Sequence, residues 1–250
     1  MGERPAVPVP ALAAGESFLA VAQVQDLVAA PGFAFALPDE DEARIGRLVH
    51  DRDRRSRRAA WRLARFCLGA VLGMAPAEVA LRRDRRGRPH LEEEAGLDFN
   101  VSHAGSSVAV GVMRGGRIGV DVEHQRPLAL WQDLIGEFLD AADAVAWARL
   151  SADGRADAAL SAWCRKESVL KATGEGLAAD PRAVSLPLGP QAAVIGRAGR
   201  SFTVATLHAA VLAPDAALAV AVEGVHLPRL LALAGGTGWS LSGARPAAGP

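Results

Sequence analysis

Three short stretches of this chain hold the residues whose types and spacing could do chemistry. The first is Gly119-Val120-Asp121-Val122-Glu123, in which apolar and acidic side chains alternate. In an extended strand Asp121 and Glu123 share one face, roughly 6–7 Å apart, and Ile118, Val120 and Val122 share the other. Two carboxylates side by side suit a hard divalent cation such as magnesium, which takes oxygen ligands and shares its shell with substrate phosphates. A solvent-facing edge strand with two ordinary acids has the same pattern. The second stretch runs from Trp163 to Lys171 and has helical spacing. Glu167 and Lys171 are four residues apart, neighbours on one helix face. They share that face with Leu160, Trp163, Cys164 and Leu170. The pair is either a simple helix salt bridge or a pair of buried charges that needs a metal and an anion, because unpaired charge in an apolar setting is costly. The third stretch is Phe99-Asn100-Val101-Ser102-His103-Ala104-Gly105-Ser106. A strand entering Ser102 and His103 before a small-residue turn presents a hydroxyl, an imidazole and backbone amides, which suits an anion. It is equally a polar hairpin corner. A Ser/His hydrolase is disfavoured, because no Gly-x-Ser-x-Gly elbow is present and adjacent Ser and His cannot readily pair as nucleophile and base.

Composition narrows the classes. The chain has 250 residues, half of them hydrophobic and 22% charged, with a formal net charge of zero. That is the composition of a globular protein with a real core. It excludes a mostly disordered chain. Neutral charge and few aromatics argue against a dedicated nucleic-acid module. No apolar run reaches the ~18 residues of a membrane helix, and the first residues lack the basic start and apolar stretch of a secretory signal. Cys67 and Cys164 form no CxxC pair, so a reducing cytoplasm is expected. The basic residues are 26 Arg and only 2 Lys, and both lysines, Lys166 and Lys171, flank Glu167. Their clustering points to a local need for an ammonium.

The elements that must position these residues follow from periodicity. Ser17–Asp26 alternates as a strand would. A helical, Arg-rich pattern runs from Asp39–Glu42 to about Leu72. Its arginines form a solvated face, a nucleic-acid patch or a site for the phosphates of a nucleotide. Arg82–Arg88 is a basic loop ending in Gly87-Arg88-Pro89. Ser107–Met113 and Arg117–Glu123, joined through Gly115-Gly116, predict a hairpin. Residues 130–173 predict helix, broken near Ser151–Gly154, with the last helix from about Ala156 to Thr173 and Gly174 as its C-cap. Residues 183–222 return to strand-like alternation, best at Ser201–Leu207 and Ala216–Val222. Residues 1–16 read as a mobile arm or a poorly formed edge strand. The tail from Leu227 holds an apolar stretch followed by Gly/Ala/Pro-rich residues whose end is expected to fray. Both halves read as strands with a long helix. The expected division is 1–116, 117–226 and a tail over 227–250.

Taken in this order, the motifs resemble the 4′-phosphopantetheinyl transferases of the larger, single-chain type, which activate non-ribosomal peptide and polyketide synthases. The resemblance rests on Gly119–Glu123 as the Gly-x-Asp-x-Glu strand and on Trp163–Lys171 as the Trp-x-x-Lys-Glu-x-x-x-Lys helix, followed by Gly174-Glu175-Gly176-Leu177. It also rests on Gly87-Arg88-Pro89 and on Phe99–Gly105 upstream. It implies an α+β fold, a pseudo-two-fold chain of two similar halves with coenzyme A in the cleft between them. The implied reaction moves phosphopantetheine from coenzyme A to a serine of an apo acyl or peptidyl carrier protein, releasing adenosine 3′,5′-bisphosphate. Asp121, Glu123 and Glu167 match the family's magnesium ligands, and Glu167 also matches its base. Lys171 matches the lysine on the diphosphate, with Lys166 beside it, and Ser102 and His103 match phosphate-holding residues. Arg88 stands where the family has Lys. Arg57, with Arg58 as the neighbouring choice, matches a 3′-phosphate contact. A monomer acting in the cytoplasm, with neither nucleic acid nor membrane as partner, completes the expectation. Two other readings use the same residues: another magnesium-dependent enzyme acting on a nucleotide diphosphate, and a non-catalytic module that binds coenzyme A or a partner.

Overall fold

The computed structural model of the chain describes residues 9–30, 32–92, 95–176, 179–189, 191–234, 238–243 and 246. Leu177 of the last motif, the first eight residues of the expected arm and parts of the tail lie outside the described residues. Strand β1 (Ser17–Gln23) leads into α1 (Val24–Ala29), α2 (Asp39–Gly46) and α3 (Asp51–Leu72). A small hairpin of β2 (Leu81–Arg83) and β3 (Pro89–Leu91) precedes β4 (Leu97–Ala104), β5 (Ser107–Arg114) and β6 (Ile118–His124). Then come α4 (Leu128–Phe138), α5 (Ala141–Ala148) and α6 (Ala152–Thr173). The chain continues through β7 (Ala193–Arg197), β8 (Arg200–Leu207), β9 (Ala216–Glu223), β10 (Arg229–Ala234) and β11 (Gly238–Gly243). Among the described residues no helix is long and apolar enough to cross a membrane.

The result is an α+β fold of two halves. The first sheet has the order β11-β10-β1-β5-β4 and the second β6-β9-β8-β7. Each is backed by one 22-residue helix ending at a glycine in the left-handed region, Gly73 after α3 and Gly174 after α6. In α3 the small and apolar residues Ala59, Ala60, Leu63, Ala64, Cys67 and Leu68 recur at helical spacing. That stripe packs on Phe18, Ala20, Val108, Val110 and Val112 of the first sheet. In α6, Val169, Leu170 and Ala172 pack on Phe202, Val204 and Ala221 of the second. The two sheets then meet face to face. Leu19, Val21, Ala109 and Met113 from one join Ile118, Val120, Val122, Val220 and Val222 from the other in a single apolar layer. The order across the molecule is helix, sheet, sheet, helix.

Several expectations about elements are corrected. Ser107–Met113 and Arg117–Glu123 do not form a hairpin. Both edges of β5 are already paired, to β1 and to β4, so β6 has no edge to join. The chain crosses at Gly115-Gly116 and β6 pairs instead with β9. It lies across the face of β5, where Gly111 leaves room for the Ile118 and Val120 side chains. The long helical patterns are cut more often than periodicity indicated. Between α2 and α3 the Arg54 side chain donates to the carbonyls of Leu48 and Val49, holding a turn there. Asp140 caps α5 by accepting from the Asp143 amide, a break periodicity did not indicate, whereas Ser151, at the break that was expected, caps α6 by accepting from the Gly154 amide. The apolar stretch after Leu227 forms strand over its described part, while most of the chain end expected to fray lies outside the described residues. Strand β10 runs parallel to β1, and β11 pairs with β10, so this segment completes the first sheet.

Candidate active site at the junction of the two halves

Strand β6 and helix α6 approach more closely than side chains normally allow. A Cβ on Gly119 would lie 2.0 Å from the Ser168 carbonyl oxygen and 2.4 Å from the Ala172 amide nitrogen. Only a glycine lets the helix backbone settle on the strand at this point. The strand's alternation then turns Asp121 and Glu123 toward the same helix that carries Glu167 and Lys171. Asp121 is 4% exposed and Glu167 9%, so these acids are buried rather than displayed on an open edge.

Lys171 reaches across to the strand. Its Nζ donates to Asp121 Oδ1 at 2.6 Å and to Ser102 Oγ at 3.0 Å. The Ser102 hydroxyl donates to the same Asp121 oxygen at 3.0 Å and accepts from the Val122 amide at 3.2 Å. Lys171 therefore pairs with Asp121 between elements, not with Glu167 along the helix. Burial, reinforced by the Asp121 charge, holds both the Glu123 and the Glu167 carboxyl above the usual range. Asp121 Oδ2 is buried without a hydrogen-bond partner. Three clustered carboxylates, one with a free buried oxygen, form a donor set suited to a hard divalent cation. As the side chains stand, no group of three His, Cys, Asp or Glu among the described residues is disposed to hold a metal ion. Lys171 fills part of that role on Asp121.

The other wall belongs to the first half. His103 follows Ser102 on β4, and its Nε2 accepts from Arg57 Nε on α3 at 3.2 Å. Desolvation, then the charges of Arg57 and Lys171, push the imidazole down to about 4. His103 is neutral at pH 7 in the unliganded protein. The choice between Arg57 and Arg58 has a clear geometry. Arg57 stands beside His103, whereas the Arg58 guanidinium is bound by Glu42 at 2.6 Å. Arg88, just before β3, is nearly buried and donates to both oxygens of Asp98 at 2.9 and 2.7 Å and to the Ile118 carbonyl at 3.3 Å.

Ser102, His103, Arg57, Asp121, Glu123, Glu167 and Lys171 thus come together, and Arg88 borders them along β6. Lys166 does not join them. It is 1% exposed on the opposite side of α6, where its Nζ donates to the carbonyls of Val184 and Pro181 at 2.6 and 3.3 Å. Its neighbour Arg165 is equally buried and binds the carbonyls of Pro187 and Gly189. Both cations hold the segment after α6 against the helix. Reading the sequence overlooked Asp98 and gave Asn100 no role of its own; their side chains accept from the Ile118 and Val120 amides at 2.9 and 3.0 Å. Their signal was the alternation Asp98-x-Asn100-x-Ser102, short acceptors in opposite phase to Phe99 and Val101.

Comparison with known proteins agrees with this division. Residues 31–113 match the family model "4′-phosphopantetheinyl transferase, N-terminal", and residues 117–221 match "4′-phosphopantetheinyl transferase superfamily". The chain is similar to the 4′-phosphopantetheinyl transferase HetI of Nostoc, 31% identical over 159 residues, 62% of this chain and 65% of the relative. It is similar to the L-aminoadipate-semialdehyde dehydrogenase-phosphopantetheinyl transferase of Schizosaccharomyces pombe, 30% identical over 58% of this chain and 62% of that protein. The 4′-phosphopantetheinyl transferase AcpT of Salmonella typhimurium is 29% identical over 47% of this chain and 60% of its own length. The matched segments thus span less than two thirds of these relatives. Between them the two family models cover three quarters of the sequence, one on each half of the fold, and the chain belongs to the 4′-phosphopantetheinyl transferase superfamily.

Proposed function

We propose that this chain transfers the 4′-phosphopantetheine group of coenzyme A to a serine of an apo carrier protein, acyl or peptidyl, and releases adenosine 3′,5′-bisphosphate. The carrying observation is the part-buried Lys171–Asp121–Ser102 network, flanked by Glu123 and Glu167, at the seam where two family-matched halves meet. Buried charge of both signs beside a row of cationic and neutral donors suits a diphosphate. One chain supplies both sides of this junction, which favours a monomer. Cys67 and Cys164 are free and buried, in keeping with a reducing cytoplasm.

In this reading the serine Oγ attacks the phosphorus that bears the pantetheine. The bond to the bridging oxygen breaks, and the bisphosphate departs with the bonding pair. Glu167 takes the serine proton; as a carboxylate that would also hold the metal it is a modest base. Lys171 turns its ammonium from Asp121 to the diphosphate, stabilising charge on the equatorial and leaving oxygens. A phosphate placed at His103 offsets the repulsion from Arg57 and Lys171 and draws a proton onto the imidazole. Asp121, Glu123 and Glu167 are the residues that would hold a magnesium ion. When bound, the ion supplies charge neutralisation on the diphosphate.

The test is mass spectrometry of apo carrier proteins incubated with the chain, coenzyme A and magnesium. One serine should gain a phosphopantetheine, and a chelator should prevent it. A folded chain that binds coenzyme A but modifies no member of a panel of apo acyl and peptidyl carriers overturns the reading. Breakdown of coenzyme A without carrier modification would identify a hydrolase instead.

A further inference from the structure

Strand β4 is the edge of the first sheet and β6 the edge of the second. No backbone ladder joins them. Exposed strand edges leave backbone donors unsatisfied, and a buried one is costly. Here the open edge of β6 is satisfied by side chains. Asp98 Oδ2 accepts from the Ile118 amide at 2.9 Å, Asn100 Oδ1 from the Val120 amide at 3.0 Å and Ser102 Oγ from the Val122 amide at 3.2 Å. His124 Nε2 then lies 3.1 Å from the Ala104 carbonyl oxygen. The sequence separation is 20 at every rung, so this is a regular parallel ladder made of side chains.

The rungs have different duties. Asp98 is shared with Arg88 and Arg117. Ser102 is shared with Asp121 and Lys171. Asn100 is 6% exposed, and its Oδ1 is engaged with the strand. Its rung falls on Val120, next to Asp121. A slip of β6 along β4 would carry Asp121 away from Ser102 and Lys171, because side chains alternate and a one-residue shift reverses every face. We propose that Asn100 is a positioning residue. It touches no substrate, and it sets the register of the carboxylate strand of one half against the Ser102–His103 strand of the other.

Two variants in the full chain test this. Asn100→Leu has the same branched shape, more bulk and no acceptor. Asn100→Ser keeps a hydroxyl of the kind Ser102 uses at the next rung. In Asn100→Leu the Val120 amide should exchange with solvent at least about tenfold faster than in the parent, while amides in β8 keep their protection. The kinetic arm rests on the transferase reading: kcat should fall about tenfold or more with KM for the carrier within about twofold, and Asn100→Ser should restore most of it. If Asn100→Leu fails to fold, Asn100→Ala removes the acceptor with less bulk. Unchanged exchange at Val120 overturns the ladder. Equal loss of kcat in the Leu and Ser variants, tracking their urea midpoints, assigns Asn100 a purely structural role. Absence of transfer by the parent chain overturns the transferase reading alone, since the exchange comparison still decides the ladder.

Discussion

Lys171 is one of two lysines among 28 Lys and Arg residues, and its position gives a reason to expect that an ammonium matters there. Its Nζ fits between Asp121 and Ser102, both nearly buried, where helix and strand backbones are already in contact at Gly119. A guanidinium is longer, planar and forked. Lys171→Arg should fold, bind coenzyme A more weakly and lose about tenfold or more in kcat/KM, equivalent to about 1.4 kcal/mol. A value within twofold of the parent would return Lys171 to the role of an ordinary ion-pair partner. The carboxylates make a second prediction, about pH. Glu123 and Glu167 hold their protons more tightly folded than unfolded, through burial and then the Asp121 charge. Their contribution to stability is complete below the ordinary value of 4.5 and is lost as pH rises through their raised folded values. A divalent cation binds the ionised forms and should offset that loss. The gain in Tm on adding magnesium is expected to be larger at pH 8 than at pH 5, and to vanish in Asp121→Asn. Equal gains at both pH values would show that the ion acts elsewhere.

At the scale of elements, the contact of α6 with β6 decides where the charged side chains stand. Gly119→Ala would force a Cβ into the Ser168 carbonyl and the Ala172 amide, and backbone on both sides cannot yield as a side-chain tip can. Overpacking of this kind costs about 1–3 kcal/mol or more. Urea denaturation of Gly119→Ala should show at least that loss, with transfer activity falling further than stability as Glu167 and Lys171 are pushed off register. The motifs on β4, β6 and α6 were legible in the sequence because their alternation and helical spacing are local. The side of α6 that Lys166 takes was harder to read. The helix is buried almost all round, so no polar face marks a direction, and the carbonyls that bind Lys166 come from residues 181 and 184. The hairpin expected across Gly115-Gly116 failed for a related reason. Strand periodicity shows that β5 and β6 are strands, but which edge each joins depends on β1 and β9, which are distant in sequence. Asp98, Asn100 and Ser102 had a visible pattern whose meaning appears only once β6 lies beside them.

For the whole molecule, the segment after Leu227 changes how the halves are joined. The chain leaves the first sheet at β5, builds the second half, and then returns to the first sheet as β10 and β11. Strand β10 covers the edge of β1 that faces away from β5. Its side chains serve both cores: Leu231 and Leu233 pack with α3 and the outer face of the first sheet, while Leu230 and Ala232 enter the layer between the sheets. Trp239 of β11 closes over Phe33 and Phe66, with ring centroids 6.0 and 6.1 Å away. Each fully buried leucine contributes about 1.5–3 kcal/mol by removal of apolar surface from water. Three of them approach the entire net stability of a typical domain, about 5–15 kcal/mol. A chain ending at His226 keeps every residue of the candidate site, yet it leaves β1 with an open edge and both cores breached. It should therefore lose its cooperative thermal transition in scanning calorimetry. The full chain should unfold in one transition whose calorimetric and van't Hoff enthalpies agree, because the apolar layer between the sheets belongs to both halves. Two separate transitions in the full chain, or a truncated chain that still melts cooperatively and binds coenzyme A, would show instead that the halves fold alone and that the returning strands are only a cover.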